Sequence, residues 1–478
     1  MEVASKITAV PQYVRGLIDS RPFGIASVTE FGALNDGRAD CTAAFNAALA
    51  SPARLVVVPP GFYRITAPLR IPCNTGKWIL GLGGAKSVAL TVGIPAGNAH
   101  RAAIEYTHDA SKQPNHAGCV LQNLHVIGNN SVCHGVHLQE VSYPVLQNVI
   151  IEGFNGGGLL LDKCQDGSFN NLALVDCGRT GGDPARNADT EYAPLHLIST
   201  VANDHCNMLR FSDCQLENNR VSPYIWINDA GPIGIWFDRL HAENANPHAR
   251  QDLLRSAGGD CHFAGIAAVG FREGFILEGY GNVTFSDCRA LISVIGPSNV
   301  VGSIRMANVR CGRLSWTSLA GPSSFINSTI GDVSISWPAL GPTIFTACSL
   351  GRVRIEHAGA GHPGVRFFNC TMAGYATNHA ASDQWLIDCI VNGDVTAQAS
   401  RSRLENNTIS GSIAVNKAES SYIPHLKTIH DTAPPAAGAW QVGDKVWHSA
   451  PSPEGNIGWV CVAAGTPGIW KEFGHISG

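Results

Sequence analysis

Phe211-Ser-Asp-Cys-Gln-Leu-Glu217 and Phe237-Asp-Arg-Leu-His-Ala-Glu243 are two copies of one unit. Each opens on a large apolar residue, passes a polar turn, alternates apolar with polar and closes on glutamate. If such units stack, the two glutamates lie one above the other. The reading of the chain turns on whether they do.

Copies of the unit recur along most of the sequence, and repetition is the first signal to settle in a long β-rich chain. They begin at Leu121, Leu146, Phe169, Phe211, Phe237, Phe285, Met306, Phe325, Phe345, Phe367, Leu386 and Leu404, with less perfect copies expected at Tyr192 and Phe263. The spacing then runs from 18 to 26 residues. That is too short for a strand–helix–strand unit, and no helical pattern fills the gaps. A coiled strand solenoid fits, in which each turn covers its neighbours. The third unit position is commonly Asn or Asp (Asn123, Asn148, Asn171, Asp213, Asp287, Asn308). Such side chains bond turn backbone, and stacked copies bond one another.

Strand alternation assigns the faces. Unit positions four and six point inward, five and seven outward. Cys214, Cys288, Cys348, Cys370 and Cys389 share position four and are expected in an inward column. Outward positions are expected to be mostly small, apolar or neutral, with carboxylates at Glu152, Glu217 and Glu243. On this register His196, Gln215, Glu217, His241 and Glu243 gather on three consecutive rungs.

Composition narrows the class. The 478 residues suffice for one long solenoid, and 45% apolar with 15% charged content is globular. Fifty-two glycines imply many tight turns. A net charge of −4 with no basic run argues against nucleic-acid binding. The fifteen cysteines form no CxxC pair and are read as small buried hydrophobes of a protein folded in a reducing cytosol. The N-terminus is not a secretory signal, and no apolar run reaches the length of a membrane span.

The opening is more specific. Val28-Thr-Glu-Phe-Gly-Ala-Leu-Asn-Asp36-Gly37 reads as a strand entering a turn, and Asp40 or Thr42 caps a short alanine-rich helix, Thr42 to Leu49. Leu55 to Val58 follows as a buried strand, then Pro59-Pro-Gly61 turns into Phe62-Tyr-Arg-Ile65. Phe31-Gly32-Ala33, Asp36-Gly37, Asp40, Thr42, Ala47, Pro60-Gly61 and Tyr63 resemble the opening of the pectate-lyase-like superfamily, seen in many phage tailspikes. Cys41 stands where that family usually has a second aspartate. The resemblance covers about 40 residues. It implies an all-β, right-handed parallel β-helix whose open end the helix caps. It also implies a virion-tail protein that binds a bacterial surface polysaccharide, as a homotrimer attached to other tail or baseplate proteins through its N-terminal arm.

The expected division is an arm over 1–24, the opening and capping helix over 25–80, the β-helix with its groove over 81–420, and a linker with a small β-rich module over 421–478. The module carries Trp440, Trp447, Trp459 and Trp470, which serve a small core, assembly or sugar contact. It resembles short terminal modules of phage and bacterial tail-like proteins.

For chemistry, adjacent strands about 4.8 Å apart would bring Glu217 and Glu243 into the range of glycosidase carboxylate pairs. Such proximity would raise one pKa and supply a proton donor. His241 would orient or relay. Gln215 and His196 would line the site, and Arg210, Arg239 or Arg220 would hold an acidic sugar. Asp183 and Asp189 lie on the insertion 178–191, a groove wall, and 244–252 is a second wall. Asp213 and Asp238 are read first as turn residues. With Asp204, Asp260 and Glu273 they form a reserve set. No cofactor is expected, and no dense aspartate cluster suggests a metal. The alternatives are a β-elimination lyase on the same fold and a receptor-binding tail protein without catalysis.

Overall fold

In a computed structural model, the chain is described over residues 24–477, except 72–74, 95–101, 107–117, 132, 179–192, 201–204, 230, 246–251, 272, 290, 297–301, 317–320, 337–340, 357–361, 378–381, 398–400, 416–420 and 425–427. Thirty-nine strands form one parallel array, and four more form a separate small sheet. The chain is a right-handed parallel β-helix, with one α-helix among the described residues.

The register runs coil on coil. Leu121 pairs with Leu146, Leu146 with Phe169, Phe169 with Phe211, and Phe211 with Phe237. The column continues through Phe263, Phe285, Met306, Phe325, Phe345 and Phe367 to Leu386 and Leu404. The phenylalanines stack nearly parallel, 4.5 Å between centroids for Phe169–Phe211 and 4.8 Å for Phe211–Phe237. Parallel stacking of coils forces this geometry, because each ring has only the next rung's ring above it.

One expected copy is not in the column. Phe169 pairs directly with Phe211, so a single long coil joins them. Tyr192 lies outside the described residues, and the strand after it, Leu195–Ile198, belongs to another face, between Leu159–Asp162 and Ile225–Asn228. Two strands of one coil had been read as two coils.

Position three is the corner of each coil. Asn123, Asn148, Asn171, Asp213, Asp287, Asn308, Asn327, Asn369, Asp388 and Asn406 all have φ between 48° and 56°. Asn and Asp tolerate this left-handed conformation. Their side chains also form a ladder: Asn148 donates to Asn123 at 3.0 Å, Asn171 to Asn148 at 2.7 Å, and Asn327 to Asn308 at 2.7 Å. Where a copy departs from Asn or Asp, Arg239 and Ala347 take the same conformation at 53° each.

The fourteen described cysteines are unpaired and buried. Desolvation pushes the thiols of Cys119, Cys177, Cys206, Cys214 and Cys261 up to about 12. Cys214, Cys288, Cys348 and Cys389 each donate to main-chain carbonyls, as inward members of the stack.

At the capped end, Ile25–Ser27 is a short strand and Val28–Phe31 a 3-10 turn, where a strand was expected; Gly32 closes it at φ 92°. Asp36–Asp40 is a strand, and its first carboxylate accepts the Arg38 and Ala39 N–H groups. The N-cap of helix α1, Thr42–Ala50, is Cys41 rather than the expected Asp40 or Thr42; Asp40, one residue earlier, accepts from the Thr42 N–H at 3.0 Å and its hydroxyl at 2.6 Å. Phe45 and Leu49 of α1 are fully buried.

At the far end Ser421–Pro424 still pairs with the coil before it, and Thr428–Asp431 opens the small sheet. The described part of the parallel array therefore runs through Pro424, and the small sheet begins at Thr428. Lys445–His448, Asn456–Ala463 and Ile469–His475 complete that sheet. Its buried residues include Val446, Trp459 and Cys461. Trp440 meets Trp470 edge-on at 5.1 Å.

Candidate functional site

Past the corner at position three, each coil continues into a second short strand. Gln215–Glu217 and His241–Glu243 are two of these. Gln215 pairs with His241, Leu216 with Ala242, and Glu217 with Glu243. Leu216 and Ala242 are buried, so the flanking residues point outward. The Glu217, His241 and Glu243 side chains are 34%, 44% and 51% exposed.

The imidazole of His241 stands between the two carboxylates. Its Nε2 is 4.0 Å from Glu217 Oε1 and 3.6 Å from Glu243 Oε2. Those two oxygens are therefore no further apart than the two contacts laid end to end. That bound lies below about 8 Å, a span that includes the retaining separation and the shorter inverting ones. The His241 contacts are longer than hydrogen bonds but within reach of charge.

The outward columns extend the site. Glu217 is preceded by Val175, and Val175 by Glu152. Glu152 accepts from or donates to His125 Nε2 at 2.8 Å according to the tautomer and protonation, so a second carboxylate–imidazole pair stands two rungs away. Ala173 and Val175 between them are small or apolar.

The structure commits most of the expected arginines elsewhere. Arg220 grips both carboxylate oxygens of Asp176 and also donates to Asn130 at 2.9 Å and Asn155 at 3.1 Å. It thereby ties together three preceding coils. Arg239 binds Asp213 through two nitrogens, at 2.6 and 2.8 Å, and Asp238 at 2.6 Å. The Arg239 guanidinium holds the Asp213 carboxyl below the usual range. Asp213 is thus a corner residue and Asp238 ends the strand before the next corner, both ion-paired with Arg239. Arg210 lies before the corner, exposed, with its guanidinium 5.0 Å from the Trp236 ring centre. Trp236 stacks in turn on His262 at 5.3 Å.

His196 does not join the site. It pairs with Leu160 and Trp226 on the other face and is 3% exposed. The single long coil between Phe169 and Phe211 puts it there. Asp260 is a turn acceptor for Asn282, at 2.8 Å to its N–H. Of Glu273 the backbone is described: it opens Glu273–Tyr280 opposite Asp252. Asp183, Asp189 and Asp204 lie outside the described residues, as do 246–251 of the second expected wall.

Two groups escaped the sequence reading. Asp229, whose side chain is 1% exposed, holds His205 Nδ1 at 2.5 Å and the Cys206 N–H at 2.8 Å. Its partner is 24 residues away, and no local pattern marks it. Arg289 and Arg310 are exposed outward residues at position five of the Phe285 and Met306 copies, where neutral residues were expected. That signal was present in the register. Among the described residues no group of three or more His, Cys, Asp or Glu is arranged to hold a metal ion.

With this geometry established, the comparisons bear on the fold. Residues 25–185 match the family model described as rhamnogalacturonase A/epimerase, pectate lyase-like. No curated protein matches the chain. Among solved structures, the Streptococcus pneumoniae surface adhesin PfbA has a TM-score of 0.50 at 10% identity, over 95% of this chain and 100% of that one. The tailspike gp49 of Pseudomonas phage LKA1 has a TM-score of 0.45 at 11% identity, over 86% and 82%. ORF18 of Geobacillus virus E2 has a TM-score of 0.42 at 17% identity; 74% of this chain is covered, but only 61% of that protein's length. At these identities the likeness is one of fold. The pectate-lyase-like opening and the parallel β-helix are as the sequence implied.

Proposed function

We propose that this chain is a tailspike-like depolymerase that hydrolyses a bacterial surface polysaccharide at Glu217, His241 and Glu243. The observation that carries the reading is the register pairing of Glu217 with Glu243 on outward positions of adjacent rungs. The match of residues 25–185 to a family named for a rhamnogalacturonase, and the tailspike-like opening of the sequence, support a glycan as substrate.

One glutamic acid donates its proton to the glycosidic oxygen as the C–O bond breaks. The other, as carboxylate, either attacks the anomeric carbon or removes a proton from the water that does. His241, in reach of both, positions the two carboxyl groups and balances their charge. Gln215, the register partner of His241, is a hydrogen-bonding residue on the same outward column. We further propose that the protein acts from a virion tail, as a homotrimer attached through its N-terminal arm. Ile326 and Ile390, 49% and 47% exposed on the later rungs, are apolar surface such an assembly would cover.

The test is incubation with capsules, exopolysaccharides and O-antigens from candidate bacteria, with products identified by mass. Products heavier by one water than the intact linkage accounts for support hydrolysis. An unsaturated product absorbing in the near ultraviolet replaces it with β-elimination.

A further inference from the structure

The outward column that carries Gln215 and His241 continues past the candidate site. His241 pairs with Ala267, and Ala267 with Arg289. The Arg310 N–H bonds the Cys288 carbonyl at 2.9 Å, as the Arg289 N–H bonds Ile266 at 3.0 Å. This parallel pattern sets Arg310 beside Arg289 on the following rung. Thr329 comes next.

Two arginines are thus neighbours in one column, both exposed. Like charges side by side in a sheet destabilise it. Other arginines are paired: Arg70, Arg220, Arg239, Arg255 and Arg403 each have a carboxylate within salt-bridge distance. Among the described residues neither Arg289 nor Arg310 is in an ion pair. The pair stands about 10 and about 14 Å from His241, two and three strand spacings along the axis. Between them and the carboxylates lies the uncharged rung of Ala267 and Val269. The face is therefore divided: acidic at Glu152, Glu217 and Glu243, neutral for one rung, then basic.

We propose that Arg289 and Arg310 form an anion-binding subsite that takes a carboxylate or phosphate substituent of the glycan. Two guanidiniums one rung apart can share one such group through paired N–H donors. The relation of this subsite to a cleaved bond rests on the hydrolase reading above. On that reading the substrate repeat carries its anionic group beyond a neutral unit from the cleaved linkage, away from the carboxylates that would repel it. A homopolymer of uronates fits this division of charge poorly, because it would place an anion on every rung.

The test uses the full chain and saturation-transfer NMR with three probes: glucuronate, glucose 6-phosphate and glucose. Transfer to one or both anionic sugars well above that to glucose, weakening as salt is added, is the expected result. The probe with the stronger signal tells a carboxylate site from a phosphate site. In the Arg289→Gln/Arg310→Gln double variant, affinity for the anionic probe is expected to fall at least about tenfold. The Arg289→Lys/Arg310→Lys variant should keep part of it, and an unchanged melting temperature shows the fold intact. Transfer no greater than to glucose, or equal in native and double-Gln protein, overturns the subsite. The readout is binding, so it separates from the hydrolase reading, which is tested by the products of glycan cleavage and by its loss in Glu217 and Glu243 variants.

Discussion

Glu217 and Glu243 are register partners on adjacent parallel strands, both outward, with one imidazole between them. In the proposed mechanism the two carboxyl groups take different roles in one step. Glu217→Gln and Glu243→Gln should each lower glycan cleavage about a hundredfold or more, the scale of lost acid–base catalysis. The double variant should be little worse than either single one, because both act in one step. Binding of the glycan should persist, as measured by co-sedimentation with host cells. Cleavage retained in both single variants would remove the site from consideration.

The ladder of aromatic rings holds the same rungs in place. Phe237 is 1% exposed and lies between Phe211, at 4.8 Å, and Phe263, at 5.2 Å. Phe237→Ala leaves a cavity between two coils and should cost about 3–5 kcal/mol of stability. Phe237→Leu, which keeps most of the volume, should cost clearly less. Denaturant midpoints of the two variants check the order.

The cysteines should be chemically silent in the native protein. All fourteen described thiols are buried, and burial pushes six or more of them toward or up to about 12, among them Cys119, Cys133, Cys177, Cys206, Cys214 and Cys261. The thiolate is the reactive form. At pH 8 a thiol reagent should therefore label the native chain at Cys73 at most, and all fifteen cysteines after unfolding. Rapid labelling of several native thiols would contradict the packed interior.

The helix start should respond to acid. Burial works against ionised Asp40, but hydroxyls of Thr42 and Thr66 and the Thr42 N–H hold its carboxyl below the usual carboxylate range. A carboxyl depressed on folding contributes stability above its unfolded value, and loses it as pH falls through the lower folded value. Asp40→Asn should cost about 1 kcal/mol at neutral pH, the scale of a lost hydrogen bond at the helix start. The difference from the native protein should vanish in strong acid. Thermal melts from pH 7 down to 2 measure both.

Much of this architecture was legible because one position in the unit does one job. Asn or Asp at position three marked the left-handed corner, and the apolar residue at position one marked the stack from Leu121 to Leu404. Glu217 and Glu243 followed from that register. The reading slipped where the coil between Phe169 and Phe211 was long. A strand on either face alternates apolar with polar, so Leu195–Ile198 looked like another copy, and His196 was carried to the wrong face. Partners were beyond reach for a different reason. Arg220 meets Asp176, Asn155 and Asn130, 44, 65 and 90 residues away, and only the pitch of the solenoid brings these together.

The left-handed corners have a consequence for how the molecule comes apart and how it can be rebuilt. Many corner side chains bond the corner above or below, as Asn148 does with Asn123 and Asn171. Cohesion along this ladder is therefore passed from neighbour to neighbour, with longer ties such as Arg220 to Asn130 the exception. Such a chain can fray from an end, one coil after another. It can equally gain or lose a whole coil, provided the excised length runs from one corner to the next. Removal of the 19 residues that separate the corners at Asn308 and Asn327 should shorten the rod and leave both remaining blocks in register.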